Sequence, residues 1–213
     1  MAEKVKPRLR GVFHQWAFFL VIPLGIALVL ETETTRGRVA AAVFALSVVT
    51  MFGASALYHR PDWAPARRVW LRRLDHAGIY FLIAGTYTPV GLLVLHGAWQ
   101  TVVLAIVWGG AAVAIFIKLF WIGSPKWLSA VVGIVLGWVG VVALPEVVTG
   151  AGLACMLLIL AGGIAYSVGA IVYALKRPDP FPAVFGYHEV FHLLTIVAVA
   201  LQYGAIAFYV VPT

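Results

Sequence analysis

The chain carries two histidines four residues apart, His188 and His192, in the stretch His-Glu-Val-Phe-His. This spacing places both imidazoles on one face of a helix. His-Glu-x-x-His on a helix is also the signature of zinc metalloproteases, in which the glutamate, here Glu189, acts as general base. The stretch therefore predicts either a protease site or a different kind of metal site.

A second set of polar residues lies earlier in the chain and completes a ligand set. Ser55 and His59 share the same helical spacing, and Asp75 follows them. His59, His188 and His192 provide three imidazoles, which together with one water form the open four-coordinate site of a catalytic zinc ion. A carboxylate beside such ligands orients a ligand or the water, which suits Asp75, and Ser55 can hydrogen-bond the same groups. The sequence thus predicts zinc ligands His59, His188 and His192, with Asp75 and Ser55 as catalytic residues.

Each polar residue also has a simpler explanation when it is considered alone. A single histidine near a helix end usually lies at the membrane interface, and this is our interpretation of His14, His76 and His96. Asp75 can complement the N-terminal dipole of its helix, and Ser55 can hydrogen-bond back to its own helix. The combination of these groups from three separate segments is harder to explain in this way, which favours the metal site.

The segments that position these residues have the composition of a membrane protein. Of the 213 residues, 63% are hydrophobic and only 11% are charged, whereas a soluble domain has about 25% charged residues. Apolar runs recur at the length of about 20 residues that a helix needs to cross the hydrocarbon core. We expect an all-α, multi-pass integral membrane protein with one domain over 1–213. Its seven transmembrane helices are expected near 12–30, 39–58, 75–95, 98–117, 127–145, 150–175 and 184–211.

The positive charges predict the orientation. Of 15 Lys and Arg residues, all but Arg36 and Arg38 fall before the first span or in alternate connections after it. Because cytoplasmic segments carry the excess of Lys and Arg, the N-terminus is predicted to be cytoplasmic and the C-terminus outside. The formal charge of +7 is then a topology signal and implies no nucleic-acid partner. The cytoplasmic cations are Lys4, Lys6, Arg8, Arg10, Arg60, Arg67, Arg68, Arg72, Arg73, Lys118, Lys126, Lys176 and Arg177.

This orientation gathers the polar residues in one leaflet. The end of the second span and the starts of the third and seventh spans are all predicted to be cytoplasmic. His59, Asp75 and the pair His188 and His192 occupy those three positions. Because the topology was assigned from the cations alone, the agreement is independent support for a shared site.

The same residues resemble the hemolysin III family. That family belongs to the progestin and adipoQ receptor superfamily, which includes the adiponectin receptors and is related to alkaline ceramidases. The resemblance covers nearly the whole chain. It implies seven spans with a cytoplasmic N-terminus in the plasma membrane of a bacterium, and zinc held by His59, His188 and His192 beside Asp75 and Ser55. The matching stretches are Ser55-x-x-x-His59, Leu74-Asp75-His76-Ala77-Gly78-Ile79-Tyr80, Ala84-Gly85-Thr86-Tyr87-Thr88-Pro89 and His188-x-x-x-His192.

Three classes of function fit this site, and we favour the first. A zinc-dependent hydrolase of lipid amides or esters would act, like a ceramidase, on a membrane lipid substrate through a water activated by zinc in the cytoplasmic leaflet. A receptor or membrane-stress sensor would bind a lipid ligand and keep zinc as a structural ion. A channel-forming hemolysin would need a polar stripe along a whole helix, which the first six spans lack.

An intramembrane metalloprotease is the weakest alternative. Such a protease needs a third ligand, often downstream of the motif, and the chain has no Asp, Glu or His after His192. The family motif is His-x-x-x-His, so it leaves the position of Glu189 open. On a helix Glu189 also points about 100° away from His188. The protease-like pattern is therefore expected to be incidental.

Overall fold

The computed structural model describes residues 6–212, and most of them are helical. The all-α prediction is confirmed, because this range contains no strand, only an isolated bridge between Phe181 and Phe185. Lys4, one of the predicted cytoplasmic cations, lies outside the described residues. The helices are α1 (Val12–Leu30), α2 (Thr35–His59), α3 (Pro65–Leu93), α4 (Gly97–Phe120), α5 (Lys126–Gly137), α6 (Leu144–Leu175) and α7 (Tyr187–Ala205), with a 3₁₀ helix at Val139–Ala143 and a π-helix at Ile206–Val210.

Among the described residues, five helical segments are long and apolar enough to cross a membrane: α1, α2, α4, the stretch Lys126–Leu175 and the stretch Tyr187–Val210. The chain is thus a multi-pass integral membrane protein. Helix α3 is not among the five, because arginines and Asp75 fill its first half and Thr86 and Thr88 interrupt its apolar half.

The predicted span 127–145 is divided between α5 and the 3₁₀ helix, and α6 begins at Leu144 rather than at 150. Helices α2 and α3 also begin earlier than the apolar runs predict. Helix α2 begins at Thr35, where the side chain of Thr34 accepts a hydrogen bond of 3.0 Å from the backbone N–H of Gly37. Helix α3 begins at Pro65, since proline in the first turn loses no backbone hydrogen bond. Hydropathy marks only the apolar part of a helix, and here charged turns extend it. Helix α7 instead begins later, at Tyr187, after a turn in which the N–H of Phe181 donates to Phe185 O at 3.0 Å.

The long stretch Lys126–Leu175 folds back on itself at Gly152. The backbone of Gly152, with φ 86° and ψ 164°, breaks the helical path within α6, a conformation that glycine adopts without steric cost. The indole N–H of Trp138 donates to Ser167 Oγ at 2.9 Å, and the ammonium of Lys126 lies 4.2 Å from the ring centroid of Tyr173. The parts before and after Gly152 therefore lie side by side.

Close packing of α2 against α3 brings together the ends that carry His59 and Asp75. At Gly85 a Cβ atom would lie 2.1 Å from Ser47 Oγ, so only glycine allows this approach. Phe52 of α2 is buried in the adjoining apolar cluster, with 1% of its surface exposed. The helices are thus held at a fixed separation next to the polar site.

Residues 6–11, the N-terminal strap, cross the end of the bundle where α2 ends and α7 begins. The backbone N–H groups of Arg8 and Leu9 donate to the carbonyls of Ala183 and Val184 at 3.1 Å each. The ammonium of Lys6 donates to the carbonyl at the end of α2, that of residue 60, at 3.0 Å. The strap therefore connects α2 to the segment that precedes α7.

Candidate metal centre

The structure brings His59, His188 and His192 into one cluster. His59 is the last residue of α2, and the other two histidines lie in the first turns of α7. One nitrogen of each lies within 4.8 Å of the other two, and the three residues are 6%, 9% and 2% exposed, respectively. The Nε2 atoms of His59 and His188 are 3.2 Å apart. The predicted ligand set is therefore assembled and shielded from water.

The cluster fits a metal ion. Two nitrogens that each lie about 2.0–2.1 Å from a tetrahedral zinc are about 3.3 Å apart, close to the separation of the His59 and His188 nitrogens. In addition, Nδ1 of His192 is buried without a hydrogen-bond partner, whereas buried polar atoms normally have one. Three neutral imidazoles are ligands that suit Zn²⁺. The described side chains can thus hold a metal ion.

Asp75 lies against the same cluster. Its Oδ2 is 3.6 Å from Nε2 of His59, and the residue is 9% exposed. Because α3 begins at Pro65, Asp75 lies well inside the helix and beyond its first turn. The alternative explanation, that Asp75 complements a helix N-terminus, is therefore wrong. The carboxylate instead faces the histidine nitrogens.

Ser55 contacts the cluster through His14, for which the sequence predicts a position at the membrane interface. That expectation is wrong: His14 is 2% exposed, and its ring stacks on His192 with centroids 3.8 Å apart. Its Nε2 lies 3.2 Å from the carbonyl of His192 and therefore donates to it. In the neutral ring Nδ1 is then the acceptor, and the Ser55 hydroxyl donates to it over 2.8 Å. Ser55 and His14 thus restrain the His192 side chain.

The other two histidines of that group behave differently. His96 is exposed in the connection between α3 and α4, as expected. His76 is partly buried and lines the cavity beside Asp75. Neither belongs to the group of side chains that can hold a metal within the described residues.

Glu189 is engaged in contacts outside the histidine cluster. It is fully buried, accepts a hydrogen bond of 2.8 Å from the backbone N–H of Gly186, and forms an ion pair with Arg10 of the N-terminal strap. A carboxylate at this position caps the first turn of a helix. Glu189 therefore joins the start of α7 to the strap, which accounts for its burial without a catalytic role.

Sequence comparison relates the whole chain to known proteins. The family described as haemolysin-III related matches residues 2–203. The chain belongs to the haemolysin-III family. Hemolysin-3 of Bacillus cereus is 34% identical over 100% of this chain and 96% of that protein. A Hemolysin-3 homolog of Bacillus subtilis (strain 168) is 33% identical over 94% of this chain and 92% of that protein. The resemblance inferred from the motifs is confirmed, and it is consistent with the progestin and adipoQ receptor superfamily.

In this haemolysin-III family member the cluster opens onto a cavity of about 190 Å³. His188, His192 and Asp75 line one part of the cavity. Other lining residues lie near the opposite ends of their helices, so the cavity extends along much of the bundle. Most of that wall is apolar. Examples are Leu82, Ile83, Val90, Leu95, Val103, Val147 and Ile159.

Proposed function

We propose that this protein is a zinc-dependent hydrolase of lipid amides or esters, with a ceramidase-like reaction. The observation that supports this most strongly is the convergence of three buried imidazoles and Asp75 at one part of a long apolar cavity. A polar reaction centre next to an apolar space matches a substrate with a carbonyl at one end and an acyl chain at the other. The membrane location of the chain supplies such lipids.

Zinc is the metal that we propose for His59, His188 and His192. When bound there, a zinc ion would polarise a carbonyl and lower the pKa of a coordinated water towards about 7. The protein supplies the rest of the chemistry. Asp75, with Oδ2 beside His59, accepts the proton of the attacking water, since a general base must lie within hydrogen-bond reach of its proton.

Ser55 and His14 are positioning residues in this proposal. The hydrogen bonds from Ser55 to His14 and from His14 to the His192 carbonyl link α2, α1 and α7. The stacked His14 ring restricts rotation of the His192 ring. Groups that hydrogen-bond or pack against ligands in this way set their orientation.

The related proteins are named for hemolysis, and a hydrolase offers a chemical route to it. Release of a membrane-active lipid product would disrupt a membrane without a dedicated pore. A mostly apolar cavity wall also favours a lipid chain over a conducted ion. The hydrolase proposal therefore accommodates the name of the relatives.

The proposal includes seven spans and a cytoplasmic N-terminus. The four apolar segments other than Lys126–Leu175 provide four spans. The two antiparallel parts of Lys126–Leu175 provide two more, and helix α3 provides the seventh. The N-terminal strap contacts the end of α2 and Ala183. The strongly cationic segments therefore lie at the end of the bundle that carries the histidine cluster. Arg36 and Arg38 lie at the other end of α2. The positive-inside rule then assigns the metal centre to the cytoplasmic leaflet.

Thiol labelling tests this topology. In a Cys155→Ala background, a cysteine substituted for exposed Arg177 should react with a membrane-impermeant maleimide only in inside-out vesicles. A cysteine substituted for exposed Arg36 should react only in intact cells. Cys155→Ala removes the single cysteine of the chain, which is buried, so the labelled thiol is the introduced one. Labelling of both positions from the same side would contradict the proposed topology.

Metal analysis and a lipid panel test the function. Detergent-purified protein should contain about one zinc per chain, as three imidazole ligands imply, and should release fatty acid from at least one class of ceramide or other lipid amide or ester. Chelation should remove both properties, and added zinc should restore them. Stable zinc binding without hydrolysis of any tested lipid would favour a receptor in which zinc is structural.

A further inference from the structure

Lys118 is a buried cation that the sequence placed in a connection. It lies instead in the last turns of α4, with 3% of its surface exposed. Its ammonium donates to the hydroxyls of Ser124 and Ser129. Within residues 6–212, no carboxylate lies within 4.0 Å of it. A buried charge without a counter-charge is costly, and two hydroxyls neutralise none of it.

Lys118 faces the same cavity as the histidine cluster. Lys118 and Ser129 line that cavity, and so do Asp75 and His76. One turn further along α3, the Tyr80 hydroxyl donates to the carbonyl of Ser129 at 3.4 Å. The ammonium and the metal centre thus share one compartment.

The two opposite charges that line the cavity do not pair with each other. Among the described residues, the Asp, Glu, Lys and Arg side chains that line the cavity are Asp75 and Lys118. Asp75 is directed to His59. Among the described residues, the Lys118 ammonium therefore has no direct counter-charge, and one of its three donors remains for a ligand.

We propose that Lys118, held in place by Ser124 and Ser129, binds an oxyanion on the headgroup of the lipid whose acyl chain occupies the cavity. The inference rests on the proposed hydrolase function and narrows its substrate class to lipid amides or esters with an anionic headgroup. An oxyanion supplies the missing counter-charge and accepts charge-assisted hydrogen bonds, which are the strong ones. A carboxylate and a phosphate share this chemistry.

Two matched pairs of lipids with identical oleoyl chains separate charge from chain length. N-oleoylglycine is compared with neutral N-oleoylethanolamine, and 1-oleoyl lysophosphatidate with neutral 1-oleoylglycerol. Dissociation constants are measured on the full-length, zinc-loaded protein in detergent by rapid-mixing displacement of a fluorescent fatty acid, before the lipid is turned over. The anionic member of at least one pair should bind about 10- to 100-fold more tightly. The pair that shows the preference distinguishes a carboxylate headgroup from a phosphate headgroup.

Substitutions assign the preference to Lys118. Lys118→Met should reduce the ratio of neutral to anionic dissociation constants to about one, and Lys118→Arg should retain most of the preference. Lys118→Gln, which can still hydrogen-bond the two serines, replaces the Met variant if the latter does not fold. Lys176→Met is the matched control, because Lys176 is exposed and does not line the cavity. Its preference should equal that of the parent.

Equal binding of neutral and anionic lipids by the parent, or an unchanged preference in the folded Lys118 variant, whether Met or Gln, would overturn the headgroup assignment. These outcomes are independent of turnover. If the protein hydrolyses no lipid but its anionic preference depends on Lys118, the hydrolase proposal is refuted and the headgroup site stands. If the protein hydrolyses neutral amides and shows no anionic preference, the headgroup site is refuted and the hydrolase proposal stands.

Discussion

Replacement of His192 by alanine is expected to abolish metal binding and lipid hydrolysis together. His192 provides one of the three imidazoles, and its ring packs between those of His14 and the other ligands. Loss of one of three protein ligands leaves a site too weak to retain the ion through purification. Zinc content should fall from about one per chain to nearly none, with hydrolysis at the background rate, as measured by elemental analysis and fatty-acid release.

The same variant should also have a lower melting temperature. A bound ion stabilises the folded state by an amount that grows with its concentration relative to Kd, about 2.7 kcal/mol at 100-fold excess. Here the ligands join α2 to α7, so that stabilisation is lost along with the packing of the ring. His96→Ala is the control, since His96 is exposed and outside the cluster. Stoichiometric zinc in a well-folded His192→Ala variant would show that the metal is held elsewhere.

The clustering of His59, His188 and His192 could be predicted because these residues leave local signals in the sequence. His188 and His192 share a helix face, as do Ser55 and His59, and the cation pattern assigned both segments to one leaflet. His14 leaves no such signal, because its contacts are with Ser55, 41 residues away, and with His192, 178 residues away. A partner at that distance in the chain becomes visible only in the folded bundle.

Glu189 illustrates the opposite case, a local protease-like pattern whose long-range contact the sequence does not reveal. Its neighbours match a protease motif, yet its ion pair is with Arg10, 179 residues away. The sequence did indicate that the match was incidental, because no third ligand follows His192. It could not indicate what the buried carboxylate does instead, which depends on the path of the N-terminal strap.

Hydropathy predicted the helical class but not the helix ends. It responds to the surrounding solvent, whereas a helix continues wherever backbone hydrogen bonds and caps allow. The charged turns of α3 from Pro65 onward therefore fell outside the predicted span, and the same turns carry Asp75 into the middle of a helix. Lys118 was assigned to a connection for the same reason, since charge alone suggested exposure.

Asp75→Asn is expected to keep the metal and lose most of the hydrolysis. Asparagine has nearly the same shape and preserves the packing next to His59, but its amide cannot accept a proton from water. Loss of a general base typically lowers the rate by about 10²- to 10⁴-fold. Zinc content should remain near one per chain, because the three imidazoles are unchanged. Parallel measurement of zinc and of kcat on one lipid substrate separates these two effects.

Glu189→Gln is the matched comparison, since it makes the same chemical change to the other buried carboxylate. Its hydrogen bond from the Gly186 N–H survives through the amide oxygen, but the ion pair with Arg10 is lost. Because Arg10 retains access to solvent, we expect a cost of about 1.5–3 kcal/mol in stability and near-parental kcat below the lowered melting temperature. A protease-type base at Glu189 requires the reverse pattern. An inactive, zinc-loaded Glu189→Gln variant beside an active Asp75→Asn variant would therefore reassign the base, because each substitution removes one carboxylate and leaves the three imidazoles unchanged.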